Sequence, residues 1–198
     1  VQLALTKLQL VLYSLEGMLR QFIVDDKGTT CICVFGLFPS HENDPMLATL
    51  CALRMVRVLN AVDIPIKIGV TTGAVFAGMV GSATRCEFAL VGDVVNLSAR
   101  LMVAALKMQK STTNDGNGQV QESEPVDILC SSGTHKSAQQ RVVFRALDPI
   151  YVKGKRDAIP IFAPVREKLA GEALSFIGGD IDHIDIAASP GGEAGAGP

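Results

Sequence analysis

The sequence predicts an α+β fold in which helices pack on a mixed and mainly antiparallel sheet. Segments with helical and with strand periodicity interleave along the 198 residues, and several strands come in pairs joined by short polar turns. The chain is 48% hydrophobic and carries a formal net charge of −2. This balance suits one medium-sized domain and gives no electrostatic basis for binding nucleic acid or an anionic membrane.

The first third of the chain predicts a helix, a hairpin and a second helix. Apolar residues at helical spacing over 1–22 favour a helix. Two apolar runs then flank residues 26–28, which is typical of a strand, a tight turn and a strand. For the second helix, Asp44 is the expected N-cap and Pro45 fits the first helical position.

The middle of the chain supplies further strands and a third helix. Residues 64–81 hold β-branched residues around a Thr-Thr-Gly break and predict two strands, and residues 84–92 predict another. Residues 93–108 predict a helix with Asp93 near its start. The polar stretch 109–125 is rich in Gly, Asn and Ser, so we expect a mobile loop.

The last third predicts the closing strands of the domain. Residues 126–132 favour a strand and residues 133–140 a short helix or turn. Residues 142–165 favour a pair of strands around the turn "KGKRD". We therefore expect one domain over 1–165, followed by a linker and low-complexity tail over 166–198.

Cysteine usage and hydropathy indicate a cytoplasmic chain. The 5 cysteines are an odd number and lie mostly in apolar runs, as reduced core cysteines do. Cys31 and Cys33 form a C-x-C, but no second pair has zinc spacing, so two side chains on one strand face are the favoured interpretation. We find no apolar run that could span a bilayer and no signal peptide. Because the sequence starts at Val1 without Met, we expect a piece of a longer polypeptide.

Asn96 and Arg100 are the first candidates for chemistry. Residues four apart share a helix face, and the surrounding residues are apolar or small. The planar fork of an arginine suits a developing phosphate charge, and an asparagine amide can orient a ribose oxygen. Alternatively, the arginine stem packs while its head reaches water. Spacing alone leaves the two interpretations evenly balanced.

Three other stretches have simpler explanations when each is taken alone. Residues 69–81 contain four glycines but match neither a P-loop nor a dinucleotide-binding turn, which favours tight turns between strands. Residues 151–157 place three cations close to a glycine, which suits a polyphosphate but is also common at a surface hairpin tip. Asp25 and Asp26 are adjacent carboxylates that suit Mg²⁺, yet strand neighbours point to opposite faces.

Taken together, these pieces resemble one family, the class III nucleotidyl cyclases. The long stretch 66–102, "IKIGVTTGAVFAGMVGSATRCEFALVGDVVNLSARLM", is similar to the core signature of that family. The segments 27–38 and 152–155 resemble its second hairpin strand and its closing "VKGK" hairpin. The resemblance spans residues 5–165 and is strongest to the second catalytic half of the soluble, bicarbonate-responsive adenylyl cyclases. It implies the ferredoxin-like class III cyclase fold, with the chain truncated before the first strand.

The resemblance also implies a reaction and a composite site. The family converts a nucleoside triphosphate to a 3′,5′-cyclic nucleotide and pyrophosphate, in a groove between two cyclase domains. This chain is then expected to act on ATP in intracellular signalling, paired with a second cyclase domain from the same polypeptide or from a homodimer. Asn96 is assigned to ribose orientation, Arg100 to transition-state phosphate charge and Lys153 to the terminal phosphates. A guanylyl cyclase half-site or a non-catalytic regulatory or dimerisation module are the alternatives.

Two departures from the family pattern limit what this chain does alone. The position expected for a metal-binding aspartate holds Thr29, a neutral and poor Mg²⁺ ligand. We therefore expect Mg²⁺ or Mn²⁺ to be held by the partner half, no metal ligand in this chain, and little or no activity of the isolated chain. The base-reading positions are Gln21, or its neighbour Arg20, and Ala89. Since Ala89 has no hydrogen-bonding side chain, base selection is expected to be weak or to come from elsewhere.

Overall fold

The computed structural model describes residues 1–25, 28–110 and 125–169 of the chain. Within these ranges the backbone forms four helices and eight strands. In chain order the elements are α1 (Gln2–Ser14), β1 (Met18–Asp25), β2 (Gly28–Val34), α2 (Asp44–Asn60), β3 (Ile68–Val70), β4 (Phe76–Gly81), β5 (Cys86–Val91), α3 (Asp93–Lys110), β6 (Ile128–Ser131), α4 (Ser132–Ala138), β7 (Val142–Ile150) and β8 (Ile159–Glu167).

The described strands are distributed over three hydrogen-bonded sheets. The central sheet has four strands in the order β3-β6-β8-β7, with β3 and β6 parallel and the other neighbours antiparallel. Strands β1 and β2 form an antiparallel hairpin, and so do β4 and β5. The predicted α+β class with a mixed and mainly antiparallel sheet is confirmed, although the sequence did not indicate that the two hairpins would form sheets of their own.

The core lies between the helices and the central sheet. Helices α1 and α2 bury Leu12 and Leu50 in one cluster, which also includes residues of α4 and β7. Helix α3 buries Leu101 against Leu129 of β6 and Ile161 of β8 in a second cluster. Because non-directional burial of this kind dominates folding, the two clusters fix where each helix lies on the sheet.

Helix α1 is shorter than the range 1–22 predicted from its apolar spacing. It ends at Ser14, after which Glu16 adopts a left-handed backbone with φ of 61°. Gly17 then donates its N–H to the carbonyl of Leu12 at 3.0 Å, the bond that ends a helix in a Schellman motif. The residues that follow form β1, so the predicted helix over this last part is wrong. The apolar spacing continues across the turn and conceals the boundary.

Helix α2 begins close to its expected start, with the cap displaced by one residue. Asn43 occupies the N-cap position and Asp44 is the first helical residue, so the prediction of Asp44 as N-cap is wrong. Pro45 is therefore the second helical residue, one position later than predicted, and still lies in the first turn, where its missing N–H has no helical partner. The Asp44 carboxylate accepts a hydrogen bond from the backbone N–H of His41 at 2.7 Å. Its negative charge also interacts favourably with the positive end of the helix dipole.

Two predicted segments fall partly outside the described ranges. Helix α3 continues to Lys110, and residues 111–124 of the expected loop lie outside the described residues. Strand β8 continues to Glu167, and residues 170–198 of the expected tail lie outside as well. Over the ranges that are described, no helix combines the length and the apolar character needed to cross a membrane.

Candidate active site

Helix α3 carries the two residues that the sequence predicts to be catalytic. It buries Leu97, Leu101 and Ala105 at four-residue spacing, and this stripe packs against the central sheet. Asn96 and Arg100 each precede a buried leucine and lie beside the stripe, Asn96 exposed and Arg100 half-buried. The apolar stripe therefore fixes the helix and leaves both polar heads available to a ligand.

Strand β3 packs very closely against α3 between Ser98 and Met102. A Cβ on Gly69 would lie 2.0 Å from the carbonyl oxygen of Ser98 and 2.8 Å from the backbone nitrogen of Met102. No larger residue fits there unless the strand and helix separate. Just after the strand, the Thr71 hydroxyl donates to the carbonyl of Val94 at 2.7 Å. These contacts hold the first turns of α3 against the sheet.

The connection between β7 and β8 contains a tight basic turn over residues 152–155. Lys155 donates its backbone N–H to the carbonyl of Val152 at 3.2 Å, and Gly154 has φ of 82°. A positive φ at the third position of such a turn favours glycine, as in type II turns. Lys153 occupies the second position, where its side chain is exposed.

Helix α3 and the basic turn meet at two points. The Arg100 guanidinium lies over Gly154, with its Nη2 and Nη1 atoms 3.6 and 3.8 Å from where a Cβ would stand on that glycine. The Lys155 Nζ donates a hydrogen bond to Asp93 Oδ2. The hydrogen bond and charge of Lys155 lower the pKa of the Asp93 carboxyl, and the charge of Arg100 lowers it further. The structure thus brings Arg100 to the turn that carries Lys153.

This cluster suits an anion that has several oxygens. Arg100 offers a planar fork of donors, and Lys153 offers an ammonium on a flexible stem. Asn96, four residues before the arginine on the same helix, adds a neutral donor and acceptor. Such a set can hold a chain of phosphates together with an adjoining hydroxyl-bearing group.

The predicted base-reading positions lie on the two separate hairpins. Gln21 is on β1, where it pairs with Ile32 of β2 and has an exposed side chain. Ala89 is on β5, where it pairs with Gly78 of β4 and is half-buried. Between these two residues, only Gln21 has a side chain that can hydrogen-bond to a base.

Arg20 connects the two hairpins beside these positions. The register of β1 shifts between Leu19 and Gln21, so Arg20 lies at a bulge. Its Nη2 donates to the carbonyl of Phe88, and its guanidinium carbon lies 5.8 Å from the centroid of that ring. Its buried Nε has no hydrogen-bond partner among the described residues. An open groove of about 460 Å³ at this junction is lined by Met18, Leu19, Arg20, Glu87 and Phe88.

The described residues do not fit a divalent metal ion. Thr29, at the position where a metal-binding aspartate is expected, is an exposed residue on β2 opposite Val24. Among the residues whose placement is described, no group of three or more His, Cys, Asp or Glu side chains could hold a metal ion. Mg²⁺ and Mn²⁺ prefer carboxylate and carbonyl oxygens, which a threonine hydroxyl does not replace.

The C-x-C pair is a feature of strand β2. Cys31 and Cys33 are two residues apart on this strand, which places them on one face, and both are half-buried. Burial raises the pKa of both thiols, that of Cys33 to about 12. Because the thiolate is the form that binds metals and reacts, these cysteines are poorly suited to either role.

The sequence did not reveal the pairing of Asp93 with Lys155 or the link from Arg20 to Phe88. Both lysine and aspartate stand in stretches that the sequence singles out, but they are 62 residues apart in the chain. Arg20 and Phe88 are 68 residues apart. Periodicity and spacing report only on neighbours in sequence, so contacts of this range had no local signal.

Comparison with known proteins identifies the family. A family model described as "Adenylate and Guanylate cyclase catalytic domain" matches residues 15–163. Human adenylate cyclase type 10 is 35% identical over 157 residues, which cover 77% of this chain and 8% of that protein. This chain therefore spans only a small part of the length of that relative.

Solved structures give the same fold. The adenylyl cyclase CyaB from P. aeruginosa superposes with a TM-score of 0.65 at 22% identity, over 84% of this chain and 81% of that one. The guanylyl cyclase Cya2 superposes with a TM-score of 0.60 at 26% identity, over 82% of this chain and 77% of that one. The predicted resemblance to class III cyclases is confirmed, and the chain belongs to the family of adenylate and guanylate cyclase catalytic domains.

Proposed function

We propose that this chain is one half of a cytoplasmic adenylyl cyclase that converts ATP to 3′,5′-cyclic AMP and pyrophosphate for intracellular signalling. The observation that carries the proposal is the contact of Arg100 with Gly154, which places a helical arginine beside the turn that bears Lys153. Membership of the cyclase family supports the reaction class. The identity of 35% to human adenylate cyclase type 10 favours ATP over GTP.

The chemistry of cyclisation defines what the protein must supply. The ribose 3′ oxygen loses its proton and bonds to the α-phosphorus, while the bond from that phosphorus to the bridging oxygen of the β-phosphate breaks. Pyrophosphate leaves with the electron pair of that bond. Negative charge therefore grows on the phosphate oxygens, and a catalyst must orient the attacking oxygen and stabilise that charge.

We assign these tasks to residues of α3 and the basic turn. Asn96 orients the ribose, Arg100 stabilises charge on the α-phosphate in the transition state, and Lys153 binds the terminal phosphates. Four helical residues rise about 6 Å, so Asn96 and Arg100 can contact adjoining parts of one nucleotide. The placement of Arg100 beside the basic turn supports this division of roles.

The base is assigned to the hairpins. Gln21 is exposed on β1 and its amide can donate and accept, so it is the proposed side-chain contact to adenine. Ala89 contributes only its backbone and its small size. An amide can donate or accept, so a single Gln21 side chain can hydrogen-bond to either adenine or guanine. We therefore expect modest selectivity for ATP over GTP.

A partner cyclase domain completes the proposed site. We assign Mg²⁺ or Mn²⁺ to that partner, from the same polypeptide or a second copy, because the described residues of this chain do not fit the ion. When bound, the ions would supply a Lewis acid and activate the ribose oxygen. This chain would supply the side chains that bind and orient the nucleotide.

Two other functions have some support. A guanylyl cyclase half-site is favoured by the 26% identity to the guanylyl cyclase Cya2. A non-catalytic module is favoured by the neutral Thr29 at the expected metal position. The three groups that contact substrate in the proposed site, Asn96, Arg100 and Lys153, are all present, and a module without chemistry has no physical need for all of them.

Reconstitution from two halves tests the proposal. The purified chain is assayed with ATP and with GTP in Mg²⁺ or Mn²⁺, alone and with a cyclase domain that carries both metal-binding aspartates. We expect little or no product from the chain alone and cyclic AMP from the mixture. Robust turnover by the chain alone would contradict the half-site, and no product from the mixture would favour the non-catalytic module. Preference for GTP would favour the guanylyl cyclase.

A further inference from the structure

The basic turn lies along one face of helix α3. Asp93, which bonds Lys155, and Arg100, which lies over Gly154, are seven residues apart and so about two helical turns apart on the same side. Asn96 lies between them on this face. The turn therefore contacts the helix at both ends of the face that carries the proposed catalytic residues.

The charges around the basic turn explain why a carboxylate, that of Asp93, lies beside it. The cations Lys153, Lys155 and Arg156 are near one another in sequence, and Arg100 faces the turn they belong to. Like charges gathered in this way repel one another when no phosphate is bound. Asp93 offsets this repulsion, and as the first residue of α3 it also interacts favourably with the positive end of the helix.

We propose that the Asp93–Lys155 pair is a clasp that holds the basic turn on α3, so that Lys153 and Arg100 face one polyphosphate. This role rests on the proposed function, since it needs a phosphate chain as ligand. The clasp engages the lysine at the fourth position of the turn and leaves Lys153, at the second position, exposed. A turn already held in place loses less conformational freedom when the ligand binds.

The clasp contributes to position and little to folding. The side chains of Asp93 and Lys155 are 62% and 38% exposed. Exposed pairs of this kind have small effects on stability. Variants of either residue should therefore stay folded, with melting temperatures close to that of the parent. Any change in ligand binding can then be assigned to the position of the turn.

Asp93→Asn separates the clasp from simple electrostatics, because the two predict opposite signs. Loss of a carboxylate beside an anion site should strengthen binding if charge alone matters. The clasp predicts weaker binding, with the Kd for inorganic pyrophosphate raised about fivefold in calorimetric titration of the 198-residue chain. Lys155→Gln should weaken binding to a similar extent.

Charge reversal and a distant control complete the set. The double variant Asp93→Lys with Lys155→Asp restores the pair in the opposite orientation, so its Kd should return to within about threefold of the parent value. Glu87→Gln removes a β5 carboxylate from its exposed pair with Arg85 and should leave the Kd unchanged. In the reconstituted cyclase, the single clasp variants should raise KM for ATP more than they lower kcat.

The outcomes separate the clasp from the proposed function. Pyrophosphate binding that Asp93→Asn leaves unchanged or strengthens would overturn the clasp and leave the proposed function standing. A double variant that binds as weakly as the single variants would also overturn it. Failure of the parent chain to bind pyrophosphate would contradict the proposed phosphate site and the clasp with it.

Discussion

At the residue scale, the arginines of this domain have different environments. Arg100 is half-buried on α3 and lies over a glycine of the basic turn. Arg20 lies at a bulge, with its guanidinium bound to a backbone carbonyl of another sheet. Arg85 is 85% exposed, immediately precedes β5, and pairs with Glu87 of that strand. Arg100 therefore suits a ligand contact, whereas Arg20 holds two hairpins together. Arg85 provides a matched control.

Replacing Arg20 should loosen the connection between the hairpins. Arg20→Gln removes a charge-assisted hydrogen bond to Phe88 and the contact with its ring, so the free energy of unfolding should fall by about 1–2 kcal/mol. Arg20→Lys keeps the charge without the planar fork, so its free energy of unfolding should lie between those of the parent and Arg20→Gln. Urea denaturation measures both. The control Arg85→Gln should change stability by less than about 0.5 kcal/mol, and an Arg20→Gln variant as stable as this control would refute the link.

At the element scale, the approach of β3 to α3 determines the position of the helix face that carries Asn96 and Arg100. Gly69 allows the strand backbone to pass close to Ser98, and the stripe of Leu97 and Leu101 then packs on the sheet. Asn96 and Arg100 point beside that stripe because of this arrangement. A change at the glycine therefore affects both packing and the proposed site.

Gly69→Ala tests this close approach. The added Cβ would lie 2.0 Å from a backbone oxygen of α3 and cannot be accommodated by a side-chain rotation. We expect a loss of about 3 kcal/mol in the free energy of unfolding. The matched control is Gly78→Ala, whose Cβ would first meet the Phe76 side-chain ring, at 3.0 Å. Equal melting temperatures for the two variants would contradict the proposed strand-helix contact.

The elements also show what the sequence can reveal. Helix α3 was predictable because apolar residues recur at four-residue spacing over one length of chain, and the basic turn because cations surround a glycine. The end of α1 was hidden, since apolar residues resume at Met18, directly after Glu16 and Gly17, at a spacing that also suits a helix. The meeting of α3 with the basic turn joins segments some 60 residues apart, and only the folded chain brings Asp93 to Lys155.

At the scale of the whole molecule, the described chain presents the groups proposed to bind a nucleotide. Cations and the Asn96 amide lie on α3 and the basic turn, while the described residues include no group of three or more potential metal ligands. The two hairpins form sheets separate from the central sheet. The proposed composite site explains this combination. This chain supplies groups for the nucleotide, and a second cyclase domain supplies the metal ligands.

The stability of the whole domain should decline in alkali. Burial raises the pKa of the Cys33 and Cys130 thiols to about 12, whereas the pKa of an unfolded thiol is ~8.5. Between these values the folded state binds more protons than the unfolded state, so stability falls as pH rises. Below about pH 8.5 the thiols are protonated in both states, so their contribution to stability should not change with pH.

Comparison of the parent with Cys33→Ala isolates this effect. Thermal unfolding is followed from pH 8 to 11, a window in which the variant should show a shallower decline because it lacks one of the thiols with a raised pKa. Its absolute stability is lower at neutral pH, since a half-buried side chain that packs against the core is truncated. Parallel declines in the two proteins would show that the Cys33 thiol does not contribute.

The most direct test of the central claim is steady-state kinetics of Arg100→Ala in the reconstituted cyclase, with Arg85→Ala as control. If Arg100 stabilises charge that develops only in the transition state, kcat should fall about 100-fold while KM for ATP changes by less than about threefold. The control should match the parent. An Arg100→Ala enzyme with unchanged kcat would contradict a catalytic role for the face of α3 that meets the basic turn.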